Sequence, residues 1–262
     1  MTPDQAKQKR DQLINDGYCV VDNVLPEPFL DELRRESDRL LDAVGPAPAK
    51  VKYQGSNLSV QGHDEPVIAR LIHFQPARDA LAALGLGDFA ADSFVILLSK
   101  PPGGPALYWH QDYMDWNDPI CTAPWPQYLF LSYYLVDTSV RNGCLRVIPG
   151  THLKRIDLHH SLVGAHEKGA YEVAENDPAM FCDHPDAVDV PVKAGALAIA
   201  EGRLLHAAHP NRSAERRTLL LCWHRRPNTV PASWTGPVPE AIRRRDANAE
   251  YEQTRFPGSY LQ

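Results

Sequence analysis

The sequence predicts a mainly β protein, an antiparallel β-sandwich or barrel with flanking helices. Two observations carry this. The first 88 residues hold apolar residues at helical spacing between Pro and Gly punctuation. From Phe89 onward the apolar residues gather into short β-branched and aromatic runs separated by Pro/Gly turns. A third observation excludes a competitor: no Gly-rich phosphate loop opens a helix, so a nucleotide-binding fold has no support. At 262 residues and 44% hydrophobic content the chain can bury one sizeable core, and a single domain spanning 1–262 is expected. Within it, 1–88 would be the helical part, 89–224 the β core with an insertion at 152–189, and 225–262 a C-terminal tail.

The elements follow in order. Thr2-Pro3-Asp4 reads as an N-cap, a first-turn proline and a dipole-favoured acid, and the helix it starts should stop at Gly17. Tyr18 to Val24 suits a strand. Pro26 opens a second helix with an apolar stripe of Phe29, Leu30, Leu33, Leu40 and Leu41, ended by Gly45-Pro46-Ala47-Pro48. Residues 50–65 are polar and carry no assignment. Pro66 to Leu84 holds two short helical patterns broken near Pro76, with Gly85 and Gly87 placed to stop the second. Phe94 to Leu98 is a continuous apolar strand, broken by Pro101-Pro102-Gly103-Gly104-Pro105. Tyr128 to Val136 and Cys144 to Ile148 flank Arg141-Asn142-Gly143, a tight-turn signal that predicts a hairpin. Residues 152–189 lack a clear period, and a stretch of that length reads as a lid or functional insertion. Strands at 190–192, 197–200, 204–208 and 218–223 complete the series, and a helix is expected around 239–247.

Composition narrows the function classes. A net charge of −6 offers no basic field for nucleic acid or an anionic membrane, and Arg243-Arg244-Arg245 reads as a solvated helix face. Five scattered cysteines (Cys19, Cys121, Cys144, Cys182, Cys222) without a Cys-x-x-Cys pair suggest neither a disulfide framework nor a structural zinc site. No run approaches the length of a membrane span, and the polar N-terminus is unlike a signal peptide. A soluble, cytoplasmic, single-domain protein is expected; the oligomeric state is not legible.

The chemistry starts at Tyr108-Trp109-His110-Gln111-Asp112-Tyr113. In an extended chain residues i and i+2 share a side, so His110 and Asp112 can reach one point. An imidazole nitrogen and a carboxylate are two of the three ligands of the facial triad that holds non-haem Fe(II) with open positions. A second His-x-Asp, His184-Pro185-Asp186, sits in loop-like surroundings where Pro185 cannot donate a ladder bond. The third ligand should lie on another strand; of His206, His209 and His224, His206 is favoured because it sits inside a strand-like run followed by Ala207 and Ala208. Arg216 and Arg217 open the next strand. Either could bind the far carboxylate of a keto-diacid co-substrate, for which a planar, always-charged guanidinium is suited.

With these residues in place, the chain resembles the phytanoyl-CoA dioxygenase family of Fe(II)/2-oxoglutarate oxygenases, from about Gly17 to His224. The likeness includes Asp16-Gly17-Tyr18, Lys100-Pro101-Pro102, Trp109-His110-Gln111-Asp112, Asn142-Gly143-Cys144-Leu145, Val147-Ile148-Pro149-Gly150-Thr151-His152, and His206 through Asn211-Arg212 to Arg217. The resemblance implies a double-stranded β-helix (jelly-roll, cupin-like) core with N-terminal helices packed on it. It implies His110, Asp112 and His206 as iron ligands, Arg217 as the anchor of 2-oxoglutarate, and Gln111 and Tyr128 as further 2-oxoglutarate contacts. Fe(II), 2-oxoglutarate and O2 would together hydroxylate an unactivated C–H bond of a small organic molecule or acyl thioester, releasing succinate and CO2. Related halogenases lack the carboxylate that Asp112 supplies, which favours hydroxylation. Two departures stand out: Tyr128 replaces a frequent Trp, and His206-Ala207-Ala208 replaces His-Gly-Ser, so Ala208 has no hydroxyl to offer the co-substrate. Tyr113, Trp116 and Trp125, with the 152–189 insertion, are the candidate substrate wall. Two other functions remain open: a catalytically reduced jelly-roll binding or regulatory protein, motivated by Ala208 and Tyr128, and a cupin-like metalloenzyme that does not use 2-oxoglutarate and has no need of Arg217.

Overall fold

Thr2 closes the first helix as its residue type requires. Its hydroxyl accepts from Gln5 N at 3.2 Å while the Gln5 amide accepts from Thr2 N at 2.8 Å. The helix, α1 (Pro3–Asp16), ends at Gly17, which takes φ 85° and donates its N–H to Leu13 O. In this computed structural model the residues described are 1–45, 55–112, 128–153, 156–162 and 170–226. The elements that follow are β1 (Tyr18–Val21), α2 (Glu27–Val44), β2 (Ser56–Gln61), α3 (Pro66–Ile72), α4 (Gln75–Ala83), β3 (Ala90–Lys100), β4 (Leu107–His110), β5 (Tyr128–Tyr134), β6 (Leu145–Val147), α5 (Ala170–Glu175), β7 (Val188–Val190), β8 (Leu197–Glu201), β9 (His206–Ala208) and β10 (Arg217–Arg225).

All pairings are antiparallel, in two sheets. One runs β1-β8-β5-β10-β3-β2 and the other β4-β9-β6-β7. This is the expected jelly-roll with N-terminal helices. Side chains alternate across the large sheet, so each strand serves two cores. In β10, Leu219, Leu221 and Trp223 face the other sheet, with Ile96, Leu98, Phe130 and Val147. Leu220 and Cys222 face outward onto the helices, with Leu13, Phe29, Leu30, Leu33, Leu41, Leu71 and Leu81.

Two expectations are corrected and one is refined. The Asn142-Gly143 turn does not join a hairpin. Both edges of β5 are taken by β8 and β10, so no edge is left for β6. A 3-10 turn at Val140–Asn142 and Gly143 at φ 91° instead carry the chain across to the second sheet. The break expected near Pro76 lies at His73–Phe74, and Pro76 itself sits in the first turn of α4 where its missing N–H is harmless. The 152–189 stretch is no lid over its described part. Leu158, Tyr171 and Met180 pack on Tyr108 and Trp109 behind the small sheet, and the Trp109 indole donates to Cys182 O at 3.1 Å. β2 carries no sequence signal because an edge strand with only Val60 of its six residues buried has no apolar run to announce it. The helix expected around 239–247 lies outside the described residues.

His152, from the Pro-Gly-Thr-His stretch, fastens α1 to this framework. Its Nε2 lies 2.9 Å from Ile14 O and its ring lies beneath Gly17, where a Cβ would come within 2.6 Å of Nδ1. Burial first, then the charge of Arg203, pushes its pKa down to about 3; burial pushes that of His224 down to about 4. Both histidines bind protons near 6.5 in the unfolded chain but not in the folded one until the pH is far lower. The unfolded state therefore holds more protons in between, and stability present above about pH 6.5 is lost as pH falls towards 4. Urea unfolding at a series of pH values should show that decline, and His152→Phe should make it shallower.

Candidate metal centre

The small sheet builds the site. His110 on β4 stands directly across from His206 on β9, and the two rings lie 4.1 Å apart between centroids. A register shift between Leu107 and His110 puts one extra residue into β4, so that Leu107 and His110, three apart, pair with Ala208 and His206, two apart. Such bulges re-aim side chains. Here the shift lets Tyr108 and Trp109 join the rear core while His110 returns to the inner face.

The backbone sets the tautomers. His110 Nδ1 is 2.9 Å from Tyr108 O, and His206 Nδ1 is 2.9 Å from Leu204 O. A carbonyl can only accept, so each Nδ1 carries the hydrogen and each Nε2 presents a lone pair. Those Nε2 atoms lie 3.4 and 3.6 Å from the same oxygen, Asp112 Oδ1. Ligands at right angles on metal bonds of about 2.1 Å would stand about 3 Å apart, so small movements suffice to close them on an ion. All three residues are buried. Asp112 is placed by its own N–H, which donates to Gly202 O at 2.9 Å. That glycine lies between Glu201 and Arg203, a buried ion pair at 2.7 Å. Burial raises the Glu201 pKa against the opposing pull of Arg203. Sequence reading passed over this pair, although two charges in an otherwise apolar stretch were its signal.

Around the triad the candidates separate. Gln111 is buried, and both its amide atoms lack a hydrogen-bond partner among the described residues. An amide buried in that way costs about 1–3 kcal/mol, which fits a position that a bound molecule completes. Arg217 is buried on the inner face with Leu219, whereas Arg216 is exposed, so strand parity separates the two. Burial lowers the Arg217 pKa, opposed by Tyr134 and Cys144. Tyr128 also faces inward, stacked on Trp223 at 6.1 Å, with the Arg225 guanidinium 4.8 Å above its ring. His209 is turned to Asp189 at 2.7 Å, and His224 lies on the helix-covered face near Phe89 and Ala90. His184-Pro185-Asp186 is indeed loop. Tyr113, Trp116 and Trp125 lie outside the described residues.

Among the described residues one other group of donors is close enough to hold a metal, Cys144, Asp189 and His209. It fits poorly: Asp189 is already met by Arg146 at 3.3 Å and His209 at 2.7 Å, and burial pushes the Cys144 thiol up to about 11. The triad of His110, Asp112 and His206 offers the hard, borderline donor set that suits Fe(II). Asp112→Ala should weaken binding of a divalent ion by about 100-fold or more, read by calorimetric titration of the metal-free protein, with the unfolding midpoint of the metal-free form little changed.

The family model described as phytanoyl-CoA dioxygenase matches residues 14–219. A probable alpha-ketoglutarate-dependent hypophosphite dioxygenase of Stutzerimonas stutzeri is 29% identical over 82% of this chain and 77% of its own length. L-proline trans-4-hydroxylase of Streptomyces griseoviridis is 24% identical over 83% of this chain and 85% of its own. Among solved structures, the non-heme alpha ketoglutarate dependent epimerase SnoN from nogalamycin biosynthesis shares the fold, with a TM-score of 0.66 at 18% identity over the full length of both chains. With the matched segment running from the end of α1 into β10 and containing the whole triad, this chain belongs to the phytanoyl-CoA dioxygenase family.

Proposed function

We propose that this protein is an Fe(II)/2-oxoglutarate-dependent dioxygenase that hydroxylates an unactivated C–H bond of a small organic molecule or acyl thioester. The observation that carries the reading is the convergence of two imidazole Nε2 atoms on one carboxylate oxygen, on the inner face of a jelly-roll that also buries Arg217. His110, Asp112 and His206 would hold the iron on one side only, leaving positions open for ligands. Bound iron supplies the activation of O2, coupled to oxidation of 2-oxoglutarate to succinate and CO2.

The chain's own residues do the rest. Arg217 anchors the distal carboxylate bidentately, its guanidinium held in a dry interior where the attraction is strong. Gln111, with its unpartnered amide, and Tyr128 orient the co-substrate further. Ala208 presents a methyl group where the family commonly has a hydroxyl. One missing hydrogen bond of about 1 kcal/mol lowers affinity several-fold without abolishing it. The relatives named for hypophosphite and L-proline support a compact substrate, and Tyr113, Trp116 and Trp125 are our proposed wall for it.

We read 1–262 as one domain and place it in the cytoplasm. Cys19, Cys144, Cys182 and Cys222 are free thiols, which suits a reducing compartment, and among the described residues no helix is long and apolar enough to cross a membrane. The binding-protein reading predicts no iron-dependent turnover of 2-oxoglutarate with any substrate; the cupin-like reading predicts metal binding indifferent to 2-oxoglutarate.

A metabolite-extract screen for iron-dependent succinate release, followed by mass detection of a product heavier by one oxygen, tests the proposal directly. Full substrate-coupled succinate formation by Asp112→Ala would overturn it. Arg217→Met should raise the KM for 2-oxoglutarate by about 10- to 100-fold with a smaller effect on kcat, measured in the same assay once a substrate is in hand.

A further inference from the structure

Lys100 is as buried as any of the described residues. It ends β3 in phase with Ile96 and Leu98, which line the space between the sheets, and it is the direct cross-strand partner of Arg217. Like charges at opposed positions destabilise a sheet, and each cation loses its hydration there. The fold nevertheless builds a slot for the side chain. A Cβ at Gly104 would stand 2.6 Å from Lys100 Cγ, and one at Gly143 would stand 3.0 Å from its Cδ. Nζ donates to His209 O at 2.6 Å, just beyond β9, and Asn211 Nδ2 donates to Lys100 O at 3.1 Å. A staple between strands needs no charge. The ladder thus sets two basic side chains next to one another on the inner face, where one anion can meet both.

We propose that Lys100 is a second cation of the co-substrate site, standing beside Arg217 so that the distal carboxylate of 2-oxoglutarate meets both. This rests on the reading of Arg217 as the carboxylate anchor. The groups that face Lys100 are Arg217 on β10, Cys144 before β6 and the His209 carbonyl; around them, Tyr134 on β5 faces Arg217 and Cys144, and the His209 ring is turned to Asp189. Burial, then the charge of Arg217, pushes the Lys100 pKa down to about 6, so at neutral pH the empty site stores only part of its charge. An arriving carboxylate favours the ammonium, and binding draws a proton from solution onto Nζ. Below about pH 6 the proton is already present and affinity is flat. Above it, affinity falls with rising pH by up to about tenfold per unit until the liganded pKa is passed.

The test is calorimetric titration of the Zn(II)-loaded protein with 2-oxoglutarate at pH 6.5, 7.5 and 8.5, each in two buffers of different ionisation enthalpy. The wild type should take up close to one proton at pH 7.5. Lys100→Met should bind at least tenfold more weakly at pH 6.5 and take up none, whereas a mere staple would lower the unfolding temperature and leave the proton count alone. No proton uptake by the wild type overturns the proposal, even if Lys100→Met fails to fold. Arg217→Met in parallel separates the two ideas. If it binds weakly while Lys100→Met behaves as wild type, only the Lys100 proposal fails. If Arg217→Met binds as tightly as wild type, the reading of Arg217 fails, and this proposal with it.

Discussion

The pairing of His110 with His206 across β4 and β9 is the interaction on which the rest of the site depends. Cross-strand partners are held about 5 Å apart by the ladder itself, so the two imidazoles need no further device to stay together. The carbonyls of Tyr108 and Leu204 then remove the remaining freedom by choosing each tautomer. Asp112 completes the set from beyond the end of β4, where its N–H is caught by Gly202 O. The centre is thus specified by main-chain geometry, and side-chain chemistry is added to a preorganised frame.

The frame is rigid for a reason that lies behind it. Trp109 and Tyr108 are pushed to the rear by the bulge in β4, where residues of 156–162 and 170–187 cover them. Tyr108 meets Tyr171 and Phe181 edge-on, at 6.1 and 6.2 Å, and Trp109 is tied to Cys182 O. Much of the insertion therefore acts as a buttress for the metal-bearing sheet. The opposite sheet is braced in the same sense by the helices, with β5 and β10 buried along nearly their whole length.

Charge is confined to a few places in this interior, and each has a geometric cause. Glu201 and Arg203 neutralise one another beside Gly202, which leaves the Gly202 carbonyl fixed for Asp112. Arg217 and Lys100 do not neutralise one another, and they sit where β10 and β3 meet on the inner face. An apolar pair would pack at that place more cheaply. On our proposal for Lys100, that cost in stability is accepted for binding an anion.

Much was legible from residues alone. Caps, turns and runs located α1, α2 and most strands, because local hydrogen bonding and period-2 burial are written in adjacent residues. The His-x-Asp spacing and a strand-borne His pointed to the triad, since i and i+2 share a side in an extended chain. Local patterns failed where pairing is non-local. The Asn142-Gly143 turn has the composition of a hairpin, yet it changes sheets because β8 and β10 already occupy both edges of β5. The polar edge strand β2 was invisible for want of an apolar run. Parity chose Arg217 over Arg216 only once the start of β10 was known. By itself the sequence determined the ligand types, their local spacing and the class of fold. Tertiary structure alone decided that His110 faces His206, that Lys100 lies against Arg217, and that the described part of the insertion stands behind the site, because strand register and sheet order join residues a hundred positions apart.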